Sequence, residues 1–250
     1  MYGDIIQAMS PATAMIICED ISSKGSGFVV GPRGHVVTNN HVVAQQRIED
    51  GAITVTYSDQ IIVVINGQRH PARVVVDQSD FRPIVYDYAV LLPDELPAEA
   101  SHALRLGNPD SVRQGDEVLC LGYPLDFTDV VATNGIISAV TVGPSHVNAL
   151  HNLRSIVSNA LIQFGSSGGP MIHVPSGTVI GINTHKYQLH DLLSQRLMTA
   201  YSHPGAVGFP LLRDLIEYSV KYTYIGLNHA VSIEYIHGDP LFEQILGELA

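Results

Sequence analysis

Short apolar runs separated by turn-forming residues cover most of this chain. The runs are rich in Val, Ile and Tyr, and Gly, Asn, Asp and Pro stand between them, which is the pattern of short β-strands joined by tight turns. Asn66-Gly67 lies between two such runs and predicts a hairpin turn. The pattern predicts an all-β fold whose first half forms one closed antiparallel barrel of six strands. Seven strands are predicted in this half, first 14–18 and then 25–30, 35–38, 52–57, 60–66, 72–76 and 88–92, and six strands of this kind make the barrel.

A second six-stranded antiparallel barrel is predicted beyond the polar, proline-containing stretch 93–109. After it, leucine, isoleucine and valine recur at helical spacing over 211–222. The strands of this second barrel are predicted near 116–122, 130–140, 154–158, 170–173, 178–183 and 206–209. The predicted domains are an N-terminal β-barrel (1–100), a C-terminal β-barrel (101–210), and a C-terminal helix with a short extension (211–250).

Composition and charge narrow the class of protein. The 250 residues are 46% hydrophobic and 15% charged, which is enough apolar material for a packed core. The formal net charge of −11 and the pI of about 5.4 argue against nucleic acid or an anionic membrane surface as the main partner. The sequence has no apolar run of about 18 residues, so no membrane span is predicted. Residues 1–10 lack the features of a secretory signal, which predicts a cytoplasmic protein if Met1 is the native start and a periplasmic one if a signal was trimmed.

The two cysteines, Cys18 and Cys120, both lie inside apolar runs. Buried, reduced thiols are the favoured interpretation, because free cysteine behaves as a small apolar residue. A single bridge between the two is the less favoured alternative.

Residues 164–170 carry the first candidate chemistry. Gly165 stands two places before Ser167, and Gly168 and Gly169 follow it, which suits a tight turn that exposes one hydroxyl group. Such a turn aims the amide hydrogens of Gly165 and Ser167 at one point, the arrangement of an oxyanion hole. A glycine- and serine-rich linker is the common alternative, but the apolar runs on both sides argue against it.

A serine nucleophile needs a base and a group that orients the base. Of the twelve histidines, His41 stands at the exit of a predicted strand. Asp87 stands at the mouth of the predicted strand 88–92, whereas Asp77 and Asp80 open no such strand. The candidate triad is therefore His41, Asp87 and Ser167, in this order along the chain.

The three candidate residues lie in motifs that alternate with strand motifs. The triad motifs are Thr38-Asn39-Asn40-His41-Val42-Val43, Asp87-Tyr88-Ala89-Val90-Leu91 and Gly165-Ser166-Ser167-Gly168-Gly169-Pro170. The strand motifs are Gly25-Ser26-Gly27-Phe28, Gly122-Tyr123-Pro124, Asn134-Gly135-Ile136-Ile137-Ser138, Gly181-Ile182-Asn183-Thr184 and Val207-Gly208-Phe209. Together they resemble the blocks of chymotrypsin-fold serine proteases, and most closely those of the HtrA/Deg-type proteases, from about residue 14 to about residue 225. Three catalytic blocks in the family's order are far more specific than one serine motif.

The resemblance implies a chymotrypsin-like pair of barrels with the active site in the cleft between them, and it implies no cofactor. By the same resemblance, Ser167 Oγ attacks a peptide carbonyl, His41 takes and returns the proton, and Asp87 orients the imidazole. The amides of Gly165 and Ser167, on either side of Ser166, form the implied oxyanion hole. Because the implied substrate pocket has no acid to hold Lys or Arg, the expected P1 residue is small to medium and aliphatic. The implied substrate-binding residues are Leu161, Ile162, Gln163, Phe164, Asn183, Thr184 and His185.

Position 166 departs from the family pattern. Digestive relatives carry aspartate there and HtrA-type proteases usually carry asparagine, whereas this chain has Ser166. A serine cannot form a salt bridge to a freed N-terminal amine, so activation by N-terminal cleavage is not expected. In HtrA-type enzymes this peptide can turn away and collapse the oxyanion hole, and a resting inactive state is therefore a hypothesis for this chain.

Three other functions stand as alternatives with weaker support. A catalytically silent trypsin-fold module would bind peptides or regulate, but all three triad residues are present. Histidine pairs such as His185 and His190, or His146 and His151, have neither a usual ligand spacing nor cysteine partners, so no metal site is predicted. Gly25-Ser26-Gly27 lacks the spacing of a nucleotide-binding fingerprint, so phosphate binding is not predicted either.

Two segments are not explained by the triad. Residues 185–203 contain a predicted short amphipathic helix, interpreted either as a surface helix or as a lid beside the pocket. Residues 224–250 begin like the PDZ domain that follows the catalytic domain in HtrA-type proteases, but they fall far short of the roughly 80 residues such a domain needs. The favoured interpretation is that a strand over 230–236 and a helix opening at Asp239 fold back onto the second barrel. Addition of this strand to another subunit or a partner is the alternative.

The expected partners are a polypeptide substrate and, through the N-terminal or C-terminal extension, a regulatory partner or further copies of the chain. HtrA-type proteases commonly form trimers through N-terminal apolar residues. The corresponding candidates here are Tyr2, Ile5, Ile6 and Met9.

Overall fold

The fold consists of two closed antiparallel barrels, and the predicted all-β architecture is confirmed. The computed structural model describes residues 2–49, 52–75, 82–95, 102–144, 151–186 and 227–240, together with 242 and 244. The predicted helix 211–222, the predicted strand 206–209 and most of the segment 185–203 lie outside these described residues.

The first barrel has the strand order β1-β2-β3-β8-β7-β6. Asn66 and Gly67 form the predicted hairpin turn between β6 and β7, and both have positive φ, at 48° and 77°. One prediction is wrong: the strand at 52–57 pairs with 44–49 in a separate hairpin, β4-β5, outside the barrel. The strands are β1 Thr13–Cys18, β2 Ser23–Val30, β3 His35–Thr38, β4 Ala44–Glu49, β5 Ala52–Tyr57, β6 Ile61–Ile65, β7 Gln68–Val74 and β8 Ala89–Pro93. The helices of this half are α1 Tyr2–Met9, a 3₁₀ turn Ser10–Ala12, α2 Asn40–Val43 and α3 Arg82–Val85.

The second barrel has the strand order β10-β11-β14-β13-β12-β9. Its strands are β9 Glu117–Gly122, β10 Val131–Pro144, β11 Asn152–Ser158, β12 Pro170–His173, β13 Thr178–Lys186 and β14 Asn228–Ser232. A 3₁₀ turn, Pro109–Ser111, precedes it, and helix α4, Glu234–His237, follows β14.

The sixth strand of the second barrel comes from the segment predicted as an extension. β14 pairs with β11 on one side and with β13 on the other, so it closes the barrel. The second barrel therefore does not end at residue 210 as predicted. The favoured prediction, that residues 230–236 fold back onto the barrel, is confirmed for 230–232, whereas 234–236 are helical. Because both edges of β14 are already paired, this strand has no free edge to add to another subunit.

One hydrophobic core runs through both barrels. It joins Ile16 and Phe28 of the first barrel to Leu119 and Ile182 of the second, all at most 2% exposed. A smaller apolar cluster fills the far part of the second barrel around Ile156. Continuous apolar packing fixes the two barrels against each other, which a cleft built from both halves requires.

The cysteines are both free and buried, as the sequence predicted. Cys18 lies in β1 of the first barrel and Cys120 in β9 of the second. Burial raises the pKa of the Cys18 thiol to about 11 and that of Cys120 to about 12. Both thiols therefore stay protonated and unreactive near neutral pH.

Candidate active site

Pairing of β3 with β8 brings His41 and Asp87 together. Thr38, at the end of β3, pairs with Ala89, at the start of β8. His41 follows Thr38 in the one-turn helix α2, and Asp87 lies two residues before Ala89. The imidazole Nδ1 of His41 lies 2.8 Å from Oδ2 and 3.0 Å from Oδ1 of the Asp87 carboxylate. The predicted base and its predicted orienting acid are thus in direct contact.

Further donors surround the Asp87 carboxylate. The backbone amide of His41 donates to Oδ1 at 3.0 Å, and the Thr184 hydroxyl donates to Oδ2 at 2.7 Å. Asn39 Nδ2 donates to the main-chain carbonyl of Asp87 at 2.7 Å. Asp87 itself has a φ of +51°, an uncommon backbone conformation for a residue other than glycine. These hydrogen bonds fix a carboxylate that its own backbone alone would not hold in this place.

The His41–Asp87 contact shifts both pKa values. Burial favours the neutral imidazole, but the adjacent Asp87 carboxylate raises the pKa of His41 above its ordinary value of about 6.5. Burial works against charge at Asp87 as well, yet His41 and the hydrogen bonds from His41 and Thr184 lower the pKa of Asp87. The raised His41 pKa contributes stability that is complete below about pH 6.5 and lost as the pH rises through the folded pKa. The lowered Asp87 pKa contributes stability that is present above about pH 3.9 and lost as the pH falls through its folded pKa.

Ser167 faces this pair from the second barrel. Its carbonyl accepts a hydrogen bond from the amide of Ser26 at 2.7 Å, which ties the serine loop to β2 of the first barrel. Its hydroxyl donates to the carbonyl oxygen of Thr184 at 3.1 Å. Since the Thr184 hydroxyl contacts Asp87, Thr184 hydrogen-bonds to two members of the candidate triad. One residue therefore bridges the serine and the carboxylate.

The peptide between Phe164 and Gly165 is held by its carbonyl. The Leu125 amide donates to the carbonyl of Phe164 at 2.6 Å, so this trans peptide points its other end, the Gly165 N–H, in the opposite direction. The Gly165 carbonyl accepts from Ser26 Oγ at 2.6 Å. Neither the Gly165 nor the Ser167 amide donates to any residue that the structure describes.

Glycine is required at two places in the serine loop. Gly165 has φ +91°, and a Cβ there would lie 2.5 Å from the Tyr123 carbonyl. Gly168 also has φ +91°, and its Cβ would clash with the Ser26 carbonyl. The glycines of the motif thus allow both the turn and the close approach of the first barrel.

Lys24 holds the loop that faces the Phe164 carbonyl. Its Nζ donates to the carbonyl oxygens of Leu125 at 2.7 Å and Phe127 at 3.3 Å. Leu125 has a φ of +51°, so its backbone sits in the left-handed region while its amide contacts Phe164. A first-barrel cation therefore supports the second-barrel loop that orients the Gly165 amide.

Ser166 is buried, and its small side chain folds back on its own turn. Its amide donates to the carbonyl of Gln163 at 2.9 Å, and its hydroxyl accepts from the Gln163 amide at 3.3 Å. The sequence left open what holds the Gly165–Ser166 peptide without an asparagine at position 166. The structure gives Ser26 Oγ, through its bond to the Gly165 carbonyl, as that group.

An apolar cavity of about 350 Å³ lies beside the serine loop. Leu161, Ile162 and Gln163, three of the residues expected to bind substrate, line one side of it, and none of its lining residues in the described part of the chain is acidic. The other side includes Leu121, Leu125, Phe127 and Val131.

The remaining residues expected to bind substrate have different surroundings. Phe164 is 41% exposed at the surface beside the cavity. Asn183 is fully buried and donates to the Pro170 carbonyl, and Thr184 is occupied with Asp87 and Ser167. Neither of these two lines the cavity. His185 continues β13, where it pairs with His229.

Sequence reasoning missed two residues that the geometry brings to the site, Ser26 and Lys24, and gave Thr184 a different role. Thr184 was expected in the substrate pocket, but its hydroxyl contacts Asp87. Ser26 was noted only as part of a predicted strand, and Lys24 was not noted at all. Ser26 hydrogen-bonds to the serine loop, and Lys24 hydrogen-bonds to the neighbouring loop at Leu125. A signal for Ser26 exists, since a polar residue in the apolar strand 25–30 needs a buried partner. For Lys24 no such local signal exists.

Among the described residues, no group of three or more His, Cys, Asp or Glu side chains is arranged to hold a metal ion. None of the helices in the described part of the chain is long and apolar enough to cross a membrane.

Comparison with known families decides the class. Residues 25–182 match the family described as Trypsin-like peptidase domain, which is more than half of the chain. This chain belongs to the trypsin-like peptidase family. The matched range of the trypsin-like peptidase domain contains His41, Asp87 and Ser167.

Two curated relatives of HtrA/Deg type are similar to this trypsin-like peptidase, as the sequence resemblance predicted. A Chlamydia pneumoniae protein named Probable periplasmic serine endoprotease DegP-like is 35% identical over 162 residues, which is 64% of this chain and 28% of that protein. Serine protease HTRA1A from Danio rerio is 31% identical over 197 residues, covering 74% of this chain and 36% of that protein. The chain thus spans about a third of the length of these relatives.

Solved structures of trypsin-like peptidases share the double barrel. A structure described as HtrA-type protease AlgW with tripeptide matches with a TM-score of 0.64 and 26% identity, over 94% of this chain and 60% of that chain. The active form of the Rv3671c protease from M. tuberculosis matches with a TM-score of 0.62 and 20% identity, over 94% of this chain and 81% of that chain. At that identity the second match supports the fold alone. The predicted chymotrypsin-like fold is confirmed.

Proposed function

We propose that this protein is a serine endopeptidase that cleaves peptide bonds through an acyl-enzyme, with His41, Asp87 and Ser167 as its triad. The observation that carries the proposal is Thr184, which hydrogen-bonds to Ser167 and to Asp87 while Asp87 holds the His41 ring. Thr184 thus links the serine to the carboxylate, and the carboxylate in turn contacts the imidazole. The serine endoprotease names of the relatives support the same reaction class.

Each residue of the proposed triad has a defined step. Ser167 Oγ leaves the Thr184 carbonyl by rotation about its χ1 bond and attacks the substrate carbonyl as His41 takes its proton. Asp87 stabilises the imidazolium that forms and holds Nδ1 protonated, so that Nε2 is the basic nitrogen. His41 then donates the proton to the leaving amine, and water repeats the sequence to release the acyl group. The Gly165 and Ser167 amides stabilise the oxyanion in both halves.

A covalent probe tests the proposal directly. A fluorophosphonate reagent is expected to label the wild-type protein and to fail with Ser167→Ala, because the probe reacts only with an activated serine. Ser176→Ala serves as the control, since Ser176 contacts only His173 and Thr178 among the described residues. This control should be labelled like wild type. A folded wild-type protein that stays unlabelled would favour the catalytically silent peptide-binding module instead.

The cleavage specificity is proposed from the apolar lining beside the serine loop. Leu161 and Ile162 line a cavity to which the described residues contribute no acidic side chain. Substrates with Val, Ala or Leu at P1 are therefore expected to exceed matched Lys or Arg substrates by about tenfold or more in kcat/KM, because a buried, unpaired cation is costly. Profiling with a peptide library measures this preference. Dominant cleavage after Lys or Arg would contradict it.

The proposed partner is a polypeptide substrate, and assembly through the N-terminal helix stays a prediction. Tyr2, Ile5, Ile6 and Met9 are partly buried against the main core in a single copy of the chain. The cellular location, cytoplasmic or periplasmic, also stays a prediction. The word periplasmic in the name of the Chlamydia pneumoniae relative favours the periplasm.

A further inference from the structure

The segment that follows β14 packs against both chain neighbours of Asp87. The Tyr235 ring stacks on the Tyr86 ring, with centroids 3.9 Å apart and planes 13° apart. The Tyr88 hydroxyl donates to Asp239 Oδ2 at 2.6 Å. Tyr88 is 1% exposed and Asp239 is 5% exposed, so this hydrogen bond is buried. We call residues 234–240 and 242 the C-terminal brace, and they lie outside the range 25–182 that matches the family.

The C-terminal brace is itself fixed to the second barrel. The Tyr235 hydroxyl accepts from the Arg154 amide of β11 at 2.6 Å. The Arg154 guanidinium also pairs with Glu234 at 2.9 Å. Ile236 and Phe242 are fully buried in the main core. The brace is therefore a rigid support on the barrel that carries Ser167, and it reaches across to the barrel that carries Asp87.

Asp87 is placed where such a support has an effect. It stands in the left-handed region, at φ +51°, between the short helix α3 and strand β8. A residue in this region persists only when its surroundings over-determine it. Arg82, at the start of α3, adds another contact from the same side, since its Nη1 donates to the Gly238 carbonyl at 2.8 Å.

We propose that the C-terminal brace positions the Asp87 carboxylate through Tyr86 and Tyr88. The principal positioning residues for this carboxylate are Tyr88 and its hydrogen-bond partner Asp239. Neither residue touches a reacting atom; both act through the backbone of Asp87. The inference rests on the proposed endopeptidase function. It also assigns a role to a segment that the family match does not include.

Removal of the Tyr88 hydroxyl tests the proposal. Tyr88→Phe is expected to lower kcat by about tenfold while KM stays within about twofold, because a displaced carboxylate affects the transition state more than substrate binding. Asp239→Asn keeps an oxygen that accepts from Tyr88 and should stay within about threefold of wild type in kcat. Ile65→Val, at a fully buried side chain of β6, is the stability control. It should cost about 0.5–1.5 kcal/mol of unfolding free energy and leave kcat unchanged.

Titration of His41 provides a readout that does not need activity. NMR titration, with the His41 signal assigned by comparison with His41→Ala, should show a lower pKa in Tyr88→Phe than in wild type. Unchanged kcat and unchanged titration in a folded Tyr88→Phe protein would overturn the brace. If that variant does not fold, Tyr235→Leu, which removes the stack on Tyr86, is measured in the same way. A folded wild type that neither cleaves nor labels would refute the endopeptidase proposal alone, and the titration would still decide the brace.

Discussion

Replacement of Asp87 by asparagine is expected to lower kcat by about 10⁴-fold. In the structure both carboxylate oxygens accept hydrogen bonds, Oδ1 from the His41 amide and Oδ2 from the Thr184 hydroxyl, and both lie within 3.0 Å of His41 Nδ1. Asparagine offers one oxygen, so its NH₂ group must face one of these donors. If the NH₂ group faces Nδ1, the imidazole carries its proton on Nε2 and cannot accept the serine proton.

The pH profile separates this effect from a loss of folding. Because Asp87 raises the pKa of His41, the acid limb of kcat/KM in the wild type should lie above the ordinary value of about 6.5. In Asp87→Asn the charge is gone and burial alone remains, so the acid limb should move to lower pH. Asp94→Asn, at an exposed carboxylate near the end of β8, should change neither kcat nor the profile. An acid limb that does not move in Asp87→Asn would exclude Asp87 as the partner of His41.

Truncation after Leu227 is expected to abolish the fold. The deletion removes β14, which pairs with β11 and with β13, and so opens the second barrel. It also removes Ala230 and Val231, each at most 1% exposed, together with the buried residues of the C-terminal brace. Each buried side chain that is lost removes about 1.5–3 kcal/mol of stability. Because a whole domain is usually stable by only about 5–15 kcal/mol, the loss of several such side chains removes most or all of that stability. Near-UV circular dichroism and thermal melting should show no cooperative transition.

Two point variants of the untruncated protein separate the effect of damage to strand β14 from the effect of a change in the residues that follow it. Ala230→Asp places a charge in the apolar interior of the second barrel and should be nearly as damaging as the truncation. Glu234→Gln alters only a partly exposed ion pair with Arg154 and should cost about 1 kcal/mol or less. A truncated protein that melts cooperatively like wild type would show that β14 is dispensable for the barrel.

The residues of the proposed triad could be selected from the sequence because each lies in a short local motif. A histidine at a strand exit, an aspartate at a strand entrance and a serine among glycines are visible without knowledge of distant contacts. The double barrel was predictable for the same reason, since strand lengths and turn residues such as Asn66-Gly67 are local properties. The two most specific predictions, the His41–Asp87 contact and the tight turn at Gly165, needed no long-range information.

Pairings between distant strands were not predictable in this way. The stretches 206–209 and 228–232 are both short and apolar, and local propensity cannot rank them for the sixth place in the second barrel. The stretch 52–57 has a strand composition whether it pairs inside a barrel or in a hairpin such as β4-β5. The Tyr88–Asp239 hydrogen bond joins residues 151 positions apart, and no pattern in either segment indicates the other.

The contacts made by strand β2 bear on when, during synthesis, the serine loop acquires its shape. Ser26 bonds to the carbonyls of both Gly165 and Ser167, and Lys24 bonds to the loop at Leu125. The serine loop is therefore held by residues that lie about 140 positions earlier in the chain. These residues are made first, because synthesis runs from the N-terminus. A second barrel on its own lacks these donors, so a competent nucleophile arises only when the two halves dock. On the proposed function, hydrolytic activity is therefore expected only after both barrels have formed and docked.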